Sequence, residues 1–167
     1  TGFTITANAD GNSAPPATYY ALKVVSGATI QYVNGAGVLQ ATLTWLPLTS
    51  ISVVNATPNT LYSVSLFAAD NGSGLNASVE GPSTSGTTLA ASPISALFSN
   101  LFSTTVMANW TANGNPTGTE YEVQISTDAN FLVGVTSSGW ITTVGHIFSG
   151  LSVATVHYAR VRARSTT

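Results

Sequence analysis

Six acids, four bases, two histidines and no cysteine are all that this chain offers for charge chemistry. Glu120 and Glu122 stand two apart, which places both on one face of a strand. A pair of carboxylates so spaced could serve as acid and base in a hydrolytic site. Arg160, Arg162 and Arg164 repeat that spacing further along the chain. If the two segments are neighbouring strands, cross-strand ion pairs result, worth roughly 0.2–1 kcal/mol each, and that is the preferred reading. His146 and His157 show no HxH or HExxH spacing, so no metal site is expected and both read as strand fillers. No G-x-S-x-G elbow is present and the glycines are scattered through turns, so neither a serine nucleophile nor a phosphate cradle is expected. No catalytic residue and no cofactor is predicted. Asn55-Ala56-Thr57, Asn71-Gly72-Ser73, Asn76-Ala77-Ser78 and Asn109-Trp110-Thr111 match the N-glycosylation pattern. Chance matches are expected in a chain this rich in Asn, Ser and Thr, so Asn55, Asn71, Asn76 and Asn109 are candidate acceptors only. Asn109 faces outward if Trp110 faces in.

The scarcity of charge is itself informative. Charged residues make up 6% of the 167, against roughly 25% in an average soluble domain. Mean hydropathy is +0.28 and the net charge is −2. Outward positions must therefore be Ser, Thr, Asn, Gly and Ala, a surface poorly protected against association. Such a surface is either buried in an assembly or covered, for example by sugar. Four basic residues cannot neutralise a run of phosphates, so no nucleic-acid partner is expected. No apolar run nears the roughly 20 residues that span a bilayer, and no signal peptide is recognisable. The first residue is not methionine, which reads as a mature or cut product. The absence of cysteine is compatible with secretion.

The elements that must position these residues read as strands throughout. The stretch Asn109 to Ile125 is the clearest: a strand ending in Trp110, a turn of Gly, Asn and Pro, and a strand in which Tyr121, Val123 and Ile125 alternate with Glu122 and Gln124. A degenerate copy runs from Ile5 to Val24, with Tyr20, Leu22 and Val24 on its inward face. Ala9 to Pro16 is a loop, Thr29 to Val33 a strand, and Asn34-Gly35 a hairpin signal. Gln40 to Val54 supplies further strand, broken at Pro47, and Trp45 is expected to fill the core space that Trp110 fills in the other copy. Tyr62, Val64, Leu66 and Ala68 alternate inward. Ser78 to Leu89 forms a last, edge strand kinked near Gly81-Pro82, and Ala90 to Pro93 a short linker. In the second half, strands are expected at 94–98, 100–103, 106–110, 131–135, 140–144 and 156–164, with a turn at Ser137-Ser138-Gly139. No apolar pattern of helical period persists. Many short strands separated by turn signals indicate two β-sandwiches.

These residues resemble fibronectin type III domains of the kind found in bacterial extracellular proteins. The second half shows it best, through Pro93, Trp110, Tyr121 and the closing Leu151, Thr155, Val161 and Ala163. The first half matches through Pro58, Thr60, Tyr62, Leu66 and Ala68. The resemblance implies an all-β chain of two tandem immunoglobulin-like sandwiches, 1–90 (strands B–G) and 92–167 (strands A–F), the first lacking its first strand and the second its last. His157 falls where the family places its corner tyrosine, and Val153 replaces a proline. The adhesive tripeptide is absent: the loop from Asp70 to Gly74 has no arginine.

A truncated sandwich exposes unpaired backbone groups along an edge. Two explanations stand: a longer parent chain, or strand donation between subunits that polymerises the chain. The resemblance implies a non-enzymatic role, a building block or spacer of an extracellular surface protein, adhesin or filament, with copies of itself or neighbouring domains as partners. The alternatives are an accessory module of a secreted polysaccharide-degrading enzyme, and a glycan-binding protein using Tyr19, Tyr32 or Trp140.

Overall fold

The computed structural model describes residues 1–7, 18–47 and 50–165. The loop expected over 9–16 and Leu48, within the strand material expected over 40–54, lie outside the described residues. Among the described residues every regular element is a β-strand, and the chain divides into two compact units, Thr1–Thr88 and Leu89–Thr167.

The first unit holds β1 (Phe3–Thr6), β2 (Tyr19–Ser26), β3 (Thr29–Val33), β4 (Leu39–Gln40), β5 (Ser50–Val53), β6 (Leu61–Ala69) and β7 (Thr84–Thr87). One sheet pairs β1 with β5; the other runs β4-β3-β2-β6-β7, all antiparallel. Period-two alternation sends Tyr20, Leu22 and Val24 of β2 and Tyr62 and Val64 of β6 into one core with Val33, Ile51 and Val53. Phe3 of β1 closes it from the other sheet, its ring 5.3 Å from that of Tyr62.

The second unit holds β8 (Ile94–Ser95), β9 (Thr105–Thr111), β10 (Glu120–Ser126), β11 (Thr136–Ile141), β12 (Gly145–Ser149) and β13 (Tyr158–Arg164). Its sheets are β12-β9-β8 and β11-β10-β13. Val106, Ala108 and Trp110 of β9 face Tyr121, Val123 and Ile125 of β10 across the core, with the rings of Trp110 and Tyr121 at 5.9 Å. This is the all-β, two-sandwich architecture expected from the alternation. The turn between β9 and β10 is locked by Asn115, whose Nδ2 donates to the carbonyls of Ala91 and Ala112 at 2.8 Å each. Its Oδ1 accepts the Ala91 N–H, which ties the segment expected to be a linker into the second unit.

Several local expectations are corrected. Trp45 is not a core plug. The backbone of Leu46 exchanges two hydrogen bonds with Tyr20, at 2.9 and 2.8 Å, which aims Leu46 inward. Alternation turns Trp45 away, to pack over Gly74. The hairpin signalled by Asn34-Gly35 is present, between the antiparallel β3 and β4. Asn34 Oδ1 accepts the N–H groups of Ala36 and Val38 at 3.0 Å, which builds the loop between β3 and β4. Residues 131–135 are not a strand, because both Asp128 carboxylate oxygens draw the chain into a turn by accepting Asn130 N and Leu132 N at 2.9 Å. Ser137-Ser138-Gly139 lies inside β11 rather than turning it, and the strand expected at 140–144 ends at Ile141. Gly139, with φ +65°, accommodates the register shift between Glu122 and Gln124 on β10, a bulge that only glycine makes without strain. Residues 100–103 form a loop, and the strand expected at 94–98 shortens to Ile94–Ser95 followed by a bridge from Ser99 to Met107.

Candidate functional site

The residues singled out for chemistry converge on the outer face of the sheet β11-β10-β13. Antiparallel register sets Glu120 opposite Arg164, Glu122 opposite Arg162 and Gln124 opposite Arg160. Arg164 Nε donates to Glu120 Oε2 at 2.7 Å, Arg162 Nε to Glu122 Oε2 at 2.6 Å, and Arg160 Nε to Gln124 Oε1 at 2.8 Å. Two of the three arginines thus hold a carboxylate, and the third holds a neutral amide. Each guanidinium also covers an aromatic ring. Arg164 and Arg162 sit 4.3 and 5.2 Å from the Trp140 centroid, and Arg160 sits 4.4 Å from that of Phe131. The turn capped by Asp128 is what brings Phe131 there.

This geometry uses up the carboxylates. Glu122, 9% exposed, also accepts from Ser137 Oγ at 2.6 Å and Gln124 Nε2 at 3.3 Å. The Ser137 hydroxyl, ahead of Arg162 and Gln124, holds its carboxyl below the ordinary range while burial opposes them. A general acid needs the opposite shift. Trp140, a candidate sugar platform, stacks under two guanidiniums. Tyr19 and Tyr32 are half-buried, Tyr19 against Gly72.

The histidines and sequons lie apart from this face. His146 packs edge-on to Phe148 at 4.7 Å. His157 stands just before β13, its Nδ1 3.0 Å from the Thr155 carbonyl. In the first unit, the Tyr62 hydroxyl accepts the Thr57 N–H at 3.0 Å, the corner bond that His157 does not reproduce. Among the described residues, no group of three His, Cys, Asp or Glu side chains could hold a metal ion. Of the four sequon asparagines, Asn55 is exposed at φ 58°. Asn71 Oδ1 caps its own loop through Ser73 N and Leu75 N. Asn76 Nδ2 donates to Asp70 at 2.7 Å, and Asn109 Nδ2 to Leu97 O and Ser99 Oγ at 2.9 Å.

Sequence reasoning missed a cleft of about 500 Å³ between the two sheets of the second unit. Leu97 and Phe98 line one side, Val161 and Arg160 of β13 the other, and Trp110 and Val123 are also among its lining. The Trp110 indole N–H is buried with no hydrogen-bond partner. Among the described residues β13 pairs with β10 alone. A second hollow shares Phe98 and His157 with the cleft and adds Leu101, Phe102, Val153 and Val156. Leu97, Leu101 and Phe102 are 91%, 69% and 74% exposed. The signal in the sequence was the pair of apolar runs around Leu97–Phe102 and Val153–Val156; the first was read as strands at 94–98 and 100–103, and of the second only Val156 fell within an expected strand.

No protein-family model matches the chain, and no curated protein matches it in sequence. Among solved structures, a two-domain fibronectin type III segment from chicken tenascin is similar over 99% of this chain and 85% of that one, with a TM-score of 0.59 and 16% identity. The chicken CNTN1 FN1–FN3 domains align over 98% of this chain and 57% of that one, with a TM-score of 0.38 and 10% identity. The fold of the chain is that of two tandem fibronectin type III-like β-sandwiches.

Proposed function

We propose that this is a non-enzymatic structural protein, a building block or spacer of an extracellular surface protein, adhesin or filament. Its units are joined to copies of themselves or to neighbouring domains. The observation that carries this reading is the apolar surface of the second unit. Leu97, Leu101, Phe102, Val153 and Val156 are all exposed, and they gather around two adjoining hollows. Isolated apolar side chains on a surface need no explanation, whereas a contiguous patch marks a site of association. The chain's few charges do nothing to oppose such packing. All four bases lie in the arginine face and in the Lys23–Glu80 pair at 2.8 Å. The carboxylates that could have supported hydrolysis are committed to arginines, which favours the structural role over a catalytic one.

Electron microscopy and sedimentation of the purified chain test the proposal. Wild-type material should associate, and the double variant Leu101→Ser/Phe102→Ser should shift it to monomer. Monodisperse wild-type particles that the substitutions leave unchanged would count against it.

A further inference from the structure

The fold treats the four sequons of the sequence differently. An N-linked glycan replaces one hydrogen of the asparagine Nδ2, so the acceptor must be exposed and have a hydrogen to give up. The pattern also requires a hydroxyl two residues on, and that side chain must be open on the same side. Asn109 fails the first condition. Its Nδ2 donates to Leu97 O and Ser99 Oγ at 2.9 Å and lies 3.3 Å from Met107 O, so both hydrogens are committed. Asn76 spends one hydrogen on Asp70 at 2.7 Å. Its Ser78 hydroxyl lies between the Ala68 N–H at 3.0 Å and the Val79 carbonyl at 2.8 Å. Asn71 is half-buried, and its Oδ1 accepts Ser73 N and Leu75 N, which folds the carboxamide back over its own sequon.

Asn55 meets both conditions. It lies exposed between β5 and β6, and its carboxamide makes no hydrogen bond among the described residues. Ala56 is 4% exposed and packs in the core, while Asn55 and Thr57 on either side of it are both turned to solvent. Backbone bonds hold this segment without using either side chain. The Thr57 N–H donates to the Tyr62 hydroxyl at 3.0 Å, and the Thr57 carbonyl accepts from Thr88 Oγ1 at 2.7 Å. The Ala56 N–H donates to the Thr1 carbonyl at 3.1 Å. Asn55 itself has φ 58°, a left-handed conformation that asparagine adopts more readily than most residues.

From these contacts we infer that Asn55 is an N-glycan acceptor, and that Asn109 is closed to modification. This rests on the reading of the chain as an extracellular protein, since the donor is a lipid-diphosphate oligosaccharide of the secretory route. In the transfer, Asn55 Nδ2 forms a bond to the anomeric carbon of the sugar as the bond from that carbon to the diphosphate oxygen breaks. Nδ2 loses one proton to a base of the transferase, the lipid diphosphate leaves, and nothing is oxidised or reduced. The glycan covers the neighbouring Val54, 41% exposed, and adds hydrated bulk to a surface with few charges to keep it dispersed.

The test is peptide mass spectrometry on the chain isolated from its own source, and on the chain secreted by a cell that attaches N-glycans. Each is measured before and after peptide N-glycanase, which leaves aspartate at every occupied asparagine. Asn55 should be occupied and Asn109 bare in both. Thr57→Ala keeps the backbone bonds and should abolish the glycan at Asn55; Thr57→Ser should keep it. Asn55→Gln should lose one glycan's mass, and circular dichroism checks that both Asn55→Gln and Thr57→Ala retain the fold. A bare Asn55 in the chain recovered from the cell surface would overturn the inference. So would sugar on Asn109, or sugar on Asn55 that survives Thr57→Ala. A chain recovered only from the cell interior removes the extracellular reading, and this inference with it, whereas a bare Asn55 on a surface chain removes this inference alone.

Discussion

Arg162 and Glu122 face each other directly across the β10–β13 register, with Nε to Oε2 at 2.6 Å. Glu122 is the more buried partner, its side chain 11% exposed against 68% for Arg162. The pair therefore behaves differently from an exposed surface bridge, which contributes little. Removing the arginine leaves a largely buried carboxylate with Ser137 and Gln124 as its remaining donors.

Glu122→Gln keeps the shape and removes the charge, and should destabilise the second unit by about 1 kcal/mol. Arg162→Ala should cost more, because it strands the carboxylate and removes one of the two guanidiniums over Trp140. Urea unfolding followed by tryptophan fluorescence measures both. Equal stability of the wild type and Arg162→Ala would show that the bridge is no more than surface decoration.

Acid should weaken the fold through three carboxylates held below their ordinary values. Glu122 is lowered first by Ser137 and then by Arg162 and Gln124, Glu80 by Lys23 and then Ser65, and Asp128 by the N–H groups of Asn130 and Leu132. The unfolded chain takes up these protons near pH 4, whereas the folded chain resists until lower pH. The stabilisation is therefore complete above that region and is lost as pH falls through the folded values. Melting temperature should be flat from pH 7 to about 5 and drop below 4. Glu122→Gln should drop less steeply, and a parallel decline would remove Glu122 from the account.

Two buried tyrosines of the first unit should respond oppositely to loss of the hydroxyl. Tyr62 Oη accepts the Thr57 N–H, so Tyr62→Phe leaves that group unpaired and should cost about 1–2 kcal/mol. Tyr20 Oη is buried with no partner, so Tyr20→Phe should be neutral or slightly stabilising. Denaturation midpoints of the two variants side by side decide it; a larger loss at Tyr20 would contradict the assignment of partners.

Alternation was enough to predict the strands that form the two cores. Tyr20, Leu22 and Val24, or Tyr121, Val123 and Ile125, have one arrangement that hides them all, because side chains on a strand change face at every residue. The glutamate–arginine pairing was legible for the same reason, since two sets of charges at the same spacing can meet only if their strands are neighbours. Local polar chemistry decided the rest. Asp128 bends 131–135 into a turn, a bulge carries Gly139 through β11, and a bridge to Tyr20 selects Leu46 over Trp45. Each depends on a partner that sequence spacing does not specify. The cleft, the unpaired indole of Trp110 and the neutral partner of Arg160 belong wholly to the tertiary structure. They exist because residues far apart in the chain meet across the two sheets, a relation that spacing along the chain does not record.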